Sequence, residues 1–342
     1  MNFSQLISQL KQNKTDSVYL ILGDQAYLSD QIKRAFTALI PQEERSMNIG
    51  SYDMEETPIS SAVEDAVSVP FFGDRRLVMI NRPYFLTGLR VKAKVEHHVD
   101  DFLNYLQRPE SSTIMVIFAP YEKLDSRKKI TKALKKVATT VEIGKLRESE
   151  IKSTVKKRIT EAGYTIDESA LERMMQLTSG QLTTMMNDLP KLFLYNKDTK
   201  KITLTAVNGL VSPSVEQSVF DLVNSVLKKN AKESMDIYRN LILESQEPIG
   251  INAVLIQQFR LLIQVMILQK HGYSQGNLAA SLKVHPYRVK LALQTVRHFN
   301  YQELKDAYLG LVETEREMKS SNRSPELLFE LFLLKFMRPN HA

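Results

Sequence analysis

The sequence predicts a multidomain protein, α/β in its first part and all-α in the rest. Three observations predict it. Short apolar runs alternate with helical patterns as far as residue 143, which marks a parallel sheet covered on both faces. After Gly144 almost every segment carries helical periodicity. The chain has 342 residues, whereas a domain usually holds about 100–200, so two or three domains are expected.

In the first part, Val18 to Leu22 is an apolar strand ending at Gly23-Asp24, and a helix is predicted from Tyr27 to Leu39. Met47 to Tyr52 is a weaker strand and Ser60 to Val67 a helix. Leu77 to Ile80 and Ile114 to Phe118 are further strands, with helices at His97 to Leu106 and Arg127 to Lys136, and Thr140 to Ile143 is a fifth strand. The helical part opens with Glu148 to Ala162, ended by Gly163 as a C-cap. Asp167 is placed to cap the next helix, to Leu177. Ser179-Gly180 separates that from a helix carrying Met185, Met186, Leu189, Leu192 and Leu194, and Ile202 to Val207 closes the small unit. Ser212-Pro213 reads as a boundary. Helices follow over 216–228, 231–244, 248–270, 274–281, 285–297, 300–319 and 324–337. The predicted domains are therefore 1–143, 144–212 and 213–342. The last helix is apolar around nearly its whole circumference. It is either buried on all sides in its own bundle or offers one face to a partner subunit.

Composition narrows the chemistry. The hydrophobic fraction is 43% and the charged fraction 25%, as in ordinary folded soluble proteins. There is no cysteine, which excludes disulfides, thiolate-metal sites and a thiol nucleophile. The N-terminal residues have no basic segment followed by a long apolar run, so no signal peptide is expected. The stretch from Ile251 to Leu268 is interrupted by Asn252, Gln257, Gln258, Arg260 and Gln264, which suits a buried helix better than a membrane span. A formal net charge of +7 permits contact with nucleic acid without establishing it.

A strand, a glycine and a helix are the setting of a phosphate-binding loop, which needs G-x-x-x-x-G-K-[ST] to hold phosphates and a metal ion. Here Gly23 is followed by Leu28 where the second glycine belongs and Ser29 where the lysine belongs, and Asp24 and Asp30 would repel a triphosphate. ATP hydrolysis by this chain is not expected. No H-E-x-x-H or other metal spacing and no G-x-S-x-G elbow occurs, so no catalytic, cofactor or metal site is assigned.

Two segments stand out as surfaces. In Val69-Pro70-Phe71-Phe72-Gly73, Pro70 stops the preceding helix and Gly73 permits a sharp turn, which holds two aromatic rings at a tip. The rings either tuck under the sheet as core or form a docking element. Arg127, Lys128, Lys129, Lys132, Lys135 and Lys136 form a basic run, either a solvated face or a surface for DNA or a neighbouring subunit. A third segment, Leu278 to Val284 followed by Pro286-Tyr-Arg-Val-Lys290, resembles a helix-turn-helix, so a DNA-binding regulator is the alternative reading.

Seven segments in order resemble the delta subunit of the bacterial DNA polymerase III clamp loader: Tyr19–Asp24 with Tyr27-Leu28, Val69–Val78, Phe118–Lys129 with Lys132–Lys136, Leu189–Leu192, Val219–Val223, Gln258–Leu262 and His285–Lys290. The resemblance implies an AAA+-like nucleotide-binding-fold domain without a functional phosphate loop, a small helical lid and a C-terminal helical collar. It implies a cytoplasmic, non-membrane replication protein that binds and opens the ring-shaped beta sliding clamp. Its partners would be the tau/gamma ATPase and delta-prime subunits of a heteropentamer, with primer-template DNA met as part of the complex. Phe71 and Phe72 match the family's clamp-binding apolar pair, bordered by Val69 and Pro70. The lid of related ATPases carries a Gly-x-x-Arg; here the corresponding residues are Gly180-Gln-Leu-Thr183, without the arginine.

Overall fold

The structure is a computed structural model that describes all residues except 72, 90–94, 145, 245 and 338–342. The chain divides into two compact units, Met1–Leu146 and Arg147–Ala342.

The first unit runs α1 (Phe3–Lys11), β1 (Val18–Leu22), α2 (Ala26–Thr37), the short α3 (Arg45–Asn48), β2 (Ile49–Asp53), α4 (Ile59–Val67), β3 (Arg76–Asn81), α5 (Val99–Gln107), β4 (Thr113–Ala119), α6 (Lys129–Val137) and β5 (Thr139–Glu142). The strands form one parallel sheet in the order β2-β3-β4-β1-β5. Its register sets Leu20 beside Ile117 and Val78 beside Met115. Side chains alternate across a strand, so each strand feeds two cores. Val18, Leu20, Val78, Ile80, Met115 and Ile117 pack with Ile59, Ala62, Phe102, Ile130 and Leu134 of α4, α5 and α6. On the opposite face Tyr19 meets Phe36 of α2 edge-on at 4.9 Å. All seven residues of β4 are buried, as expected for a central strand covered on both sides.

The second unit begins with α7 (Glu148–Glu161), β6 (Thr165–Ile166), α8 (Glu168–Leu177), α9 (Leu182–Tyr195), β7 (Lys201–Ile202) and α10 (Leu204–Leu210). It continues with α11 (Val215–Leu227), α12 (Ala231–Leu243), α13 (Pro248–Lys270), α14 (Gln275–Leu282), α15 (Pro286–Val296), α16 (Tyr301–Ser320) and α17 (Pro325–Met337). Among the described residues α13 alone is long and apolar enough to cross a membrane. It forms the middle of a helical bundle, packed against α11, α15, α16 and α17, with Leu255, Phe259, Leu262 and Val265 fully buried.

Several local expectations change. Met47 and Asn48 belong to α3, not to a strand, and β2 starts at Ile49. His97 precedes α5 and ties loops together, its Nδ1 accepting the Ile59 amide at 3.1 Å and its Nε2 lying 2.8 Å from the Met54 carbonyl. Asp167 stands at the N-cap of α8 but gives its carboxylate to Lys201 at 3.0 Å instead of to the helix amides. In α17, Leu328, Phe329, Phe332 and Leu333 are buried, while Leu327 and Leu334 are 47% and 53% exposed, so the helix is not enclosed on all sides.

Candidate functional site

The Gly23 turn is built for backbone packing. Gly23 has φ 129°, and a Cβ there would lie 2.6 Å from the Ile143 carbonyl carbon. Its amide donates to Ala119 O at 3.0 Å, and the Ile143 amide donates to Leu22 O at 2.8 Å. The turn is therefore clasped between the ends of β4 and β5, and the Gly23 amide that a phosphate would use is already bonded. Leu28 is 3% exposed and belongs to the core. The adjoining cleft of about 350 Å³ is lined by Asp24, Glu122 and Glu142, which repel a polyphosphate.

At the carboxyl ends of β1, β3 and β4, where open α/β sheets bind ligands, the crevice holds an ion cluster. Arg82, at φ 53°, pairs with both carboxylate oxygens of Asp53 and with Glu55 at 2.7 Å. Burial pushes the Asp53 pKa up, but the Arg82 hydrogen bonds, the Glu55 backbone amide and the charges of Arg82 and Lys33 together hold the carboxyl below its ordinary value.

The aromatic tip is a different kind of site. The α4 helix packs Ile59, Ala62, Val63 and Ala66 inward. Its last turn is pinned to the sheet twice: Arg76 of β3 pairs with Asp65, and Thr113 of β4 donates to the Ala66 carbonyl at 2.8 Å. Ser68 then turns to extended geometry, and Pro70 disfavours helix at the next residue, Val69. Val67, Val69 and Phe71 stand 56%, 82% and 65% exposed, and Pro70 is half-buried. Phe71 is therefore not core; Phe72 lies outside the described residues. Gly73 takes φ 73°, a left-handed conformation that favours glycine, and brings the chain back to β3. One residue that sequence reasoning did not single out sits with this tip: Asn48 of α3 accepts the Phe71 amide at 2.9 Å. A four-residue helix is too short to give a periodic signal.

The basic run splits. Arg127 pairs with Asp125 at 2.8 Å, and Lys128 donates to the Phe85 carbonyl at 2.7 Å; both precede α6. Lys129, Lys132, Lys135 and Lys136 lie on α6 and are exposed. In the helix-turn-helix-like segment, the basic side chains of α15 are engaged within the unit: Arg288 bonds Gln258 at 2.9 Å and Lys290 bonds Glu148 at 3.0 Å. Tyr287, Val289 and Ala292 of the same helix are buried. Gly180, at φ 70°, gives its amide to Met175 O and packs beneath Tyr287. This closes α8 without any arginine at the turn.

A parallel sheet in this order, a turn after its first strand closed by backbone contacts and a mostly helical second unit define a protein of the α/β plus all-α class. Residues 19–144 match the family profile described as DNA polymerase III, delta subunit, and residues 216–336 match the profile for the C-terminal domain of the DNA polymerase III delta subunit. The chain is 39% identical to DNA polymerase III subunit delta of Bacillus subtilis (strain 168), over 97% of this chain and 96% of that protein. It is 23% identical to the probable DNA polymerase III subunit delta of Aquifex aeolicus (strain VF5), over 86% of this chain and 84% of that one. The solved structure of the B. subtilis DNA clamp loader delta protein aligns over 98% of this chain and 99% of its own, with a TM-score of 0.71 and 37% identity. The chain belongs to the DNA polymerase III delta subunit family.

Proposed function

We propose that this chain is the clamp-opening arm of its clamp loader. It binds the ring-shaped beta sliding clamp through Val69, Pro70, Phe71 and Phe72 and thereby favours the open ring. The observation that carries the reading is the exposure of Val69 and Phe71 on a turn whose flanks are pinned to the sheet. An apolar tip held in place is a hot-spot geometry, and each ring it buries is worth about 1.5–3 kcal/mol. Opening requires that the tip bind a distorted clamp interface more tightly than a relaxed one, because only differential affinity shifts an equilibrium. The clasped Gly23 turn and the acidic cleft support leaving ATP binding and hydrolysis to sister subunits. Their state would then expose or withdraw the tip.

In this reading residues 1–143 are the degenerate AAA+-like domain, 144–212 the lid and 213–342 the collar. The collar joins tau/gamma and delta-prime subunits in a heteropentamer that acts on primer-template DNA in the cytoplasm, at replication forks. The exposed lysines of α6 belong to a surface facing DNA or a neighbouring subunit. Calorimetric titration with the sliding clamp of the same organism tests the assignment. Phe71→Ala with Phe72→Ala should keep the fold and weaken binding by at least about 2 kcal/mol. Equal affinity of the two folded proteins would remove the tip from the clamp interface.

A further inference from the structure

We propose that Asn48 is a positioning residue for the clamp-binding tip, an inference that rests on the reading of residues 69–72 as the docking element. Asn48 is fully buried and 23 positions from Phe71 in the chain. A buried amide side chain needs hydrogen-bond partners, and this one directs its Oδ1 to the Phe71 backbone amide at 2.9 Å. Its Nδ2 faces a Glu44 carboxylate oxygen at 3.5 Å. That same carboxylate lies against Gly73, where an added Cβ would come within 2.3 Å of Glu44 Oε2. The turn from Glu44 to Asn48 thus supports the tip on both sides of position 72, at the Phe71 backbone and at Gly73.

The bond to Phe71 is to the backbone, so it specifies where the tip stands without reducing the apolar surface that Phe71 offers. Phe71 remains 65% exposed. A loop that is ordered before binding loses less conformational freedom when it docks. Asn48 therefore contributes to clamp affinity through Phe71 while touching the clamp with none of its own atoms.

Four full-length chains separate this role from general support of the fold: wild type, Phe71→Ala, Asn48→Ala, and Asn48→Asp combined with Glu44→Gln. In the double variant the new carboxylate at position 48 accepts the Phe71 amide. The new side-chain amide at position 44 donates to that carboxylate, which reverses the direction of the original bond between the two positions. Each chain is titrated with the sliding clamp and followed by amide hydrogen exchange. Asn48→Ala should weaken clamp binding about tenfold, or 1.4 kcal/mol. It should speed exchange at the Phe71 amide and leave the amides of β3 and β4 unchanged. The double variant should recover both protection and affinity. Wild-type affinity in Asn48→Ala, or an unprotected Phe71 amide in the wild type, overturns the proposal. If Asn48→Ala loosens β3 and β4, the double variant decides: a restored fold with affinity still lost also overturns it. Should Phe71→Ala bind as the wild type does, it is the docking reading that falls.

Discussion

A phenylalanine left 65% exposed at position 71 forgoes burial worth about 1.5–3 kcal/mol, while the backbone beneath it is held by a buried side chain from another helix. The turn was legible in the sequence, because Pro70 and Gly73 bracket two aromatics, but the same residues left open whether the rings are core or surface, and the exposure of Phe71 comes from the structure. The contact that holds the turn was not legible. Asn48 reaches Phe71 through a tertiary contact that no local period encodes, and the run around it reads as a weak strand. His97 is a second such residue, and it makes stability depend on pH. Its Nδ1 accepts the Ile59 amide at the start of α4, which requires the neutral ring. Burial lowers its pKa below the ordinary 6.5, against the opposing effect of the Met54 carbonyl. The folded value is below the unfolded one, so the stability His97 confers is complete above pH 6.5 and is lost as pH falls through the folded value. His97→Asn should be the less stable chain at about pH 7.5, with the gap narrowing on acidification. Urea midpoints of both proteins across this range check it; a gap independent of pH would separate His97 from the acid response.

Among elements, the strands were the most readable. Val18 to Leu22, Leu77 to Ile80 and Ile114 to Phe118 are unbroken apolar runs, the pattern of strands buried on two faces, and the structure places all three in the sheet. The first helix went unread because only Leu6 and Leu10 bury from it. Its one usable sign is the Asn2 and Gln5 capping box. The two-residue strands β6 and β7 are too short to carry a period. Helix α6 shows what charge alone conceals. The basic run divides into Arg127 and Lys128, tied to Asp125 and to the Phe85 carbonyl, and four exposed lysines. Replacing Lys129, Lys132, Lys135 and Lys136 with glutamine should flatten the salt dependence of DNA binding by the assembled loader, by a slope of about 0.9 for each phosphate no longer neutralised. The same change at Arg127 should leave that slope in place. Binding titrations at several salt concentrations distinguish the two, and an unaltered slope in the quadruple variant would take DNA away from this face.

For the whole molecule, the change from alternating to purely helical patterning near residue 144 was legible because periodicity itself switches there, close to the limit between the compact units at Leu146 and Arg147. Each unit has its own apolar core, so damage to one should remain local. Phe329 is fully buried and stacks on Tyr238 at 4.1 Å between ring centroids. Phe329→Ala should cost the helical unit about 3–5 kcal/mol and leave amide protection in β1, β3 and β4 unchanged. Hydrogen exchange by mass spectrometry reads both at once. The central place of α13 has a further consequence, for the order of synthesis. This helix is completed at Lys270, yet α16 and α17, which cover it, follow only after residue 300. At about 5–20 residues per second, a ribosome leaves its apolar flank uncovered for several seconds. During that interval the nascent chain is a client for whatever chaperone waits at the exit tunnel.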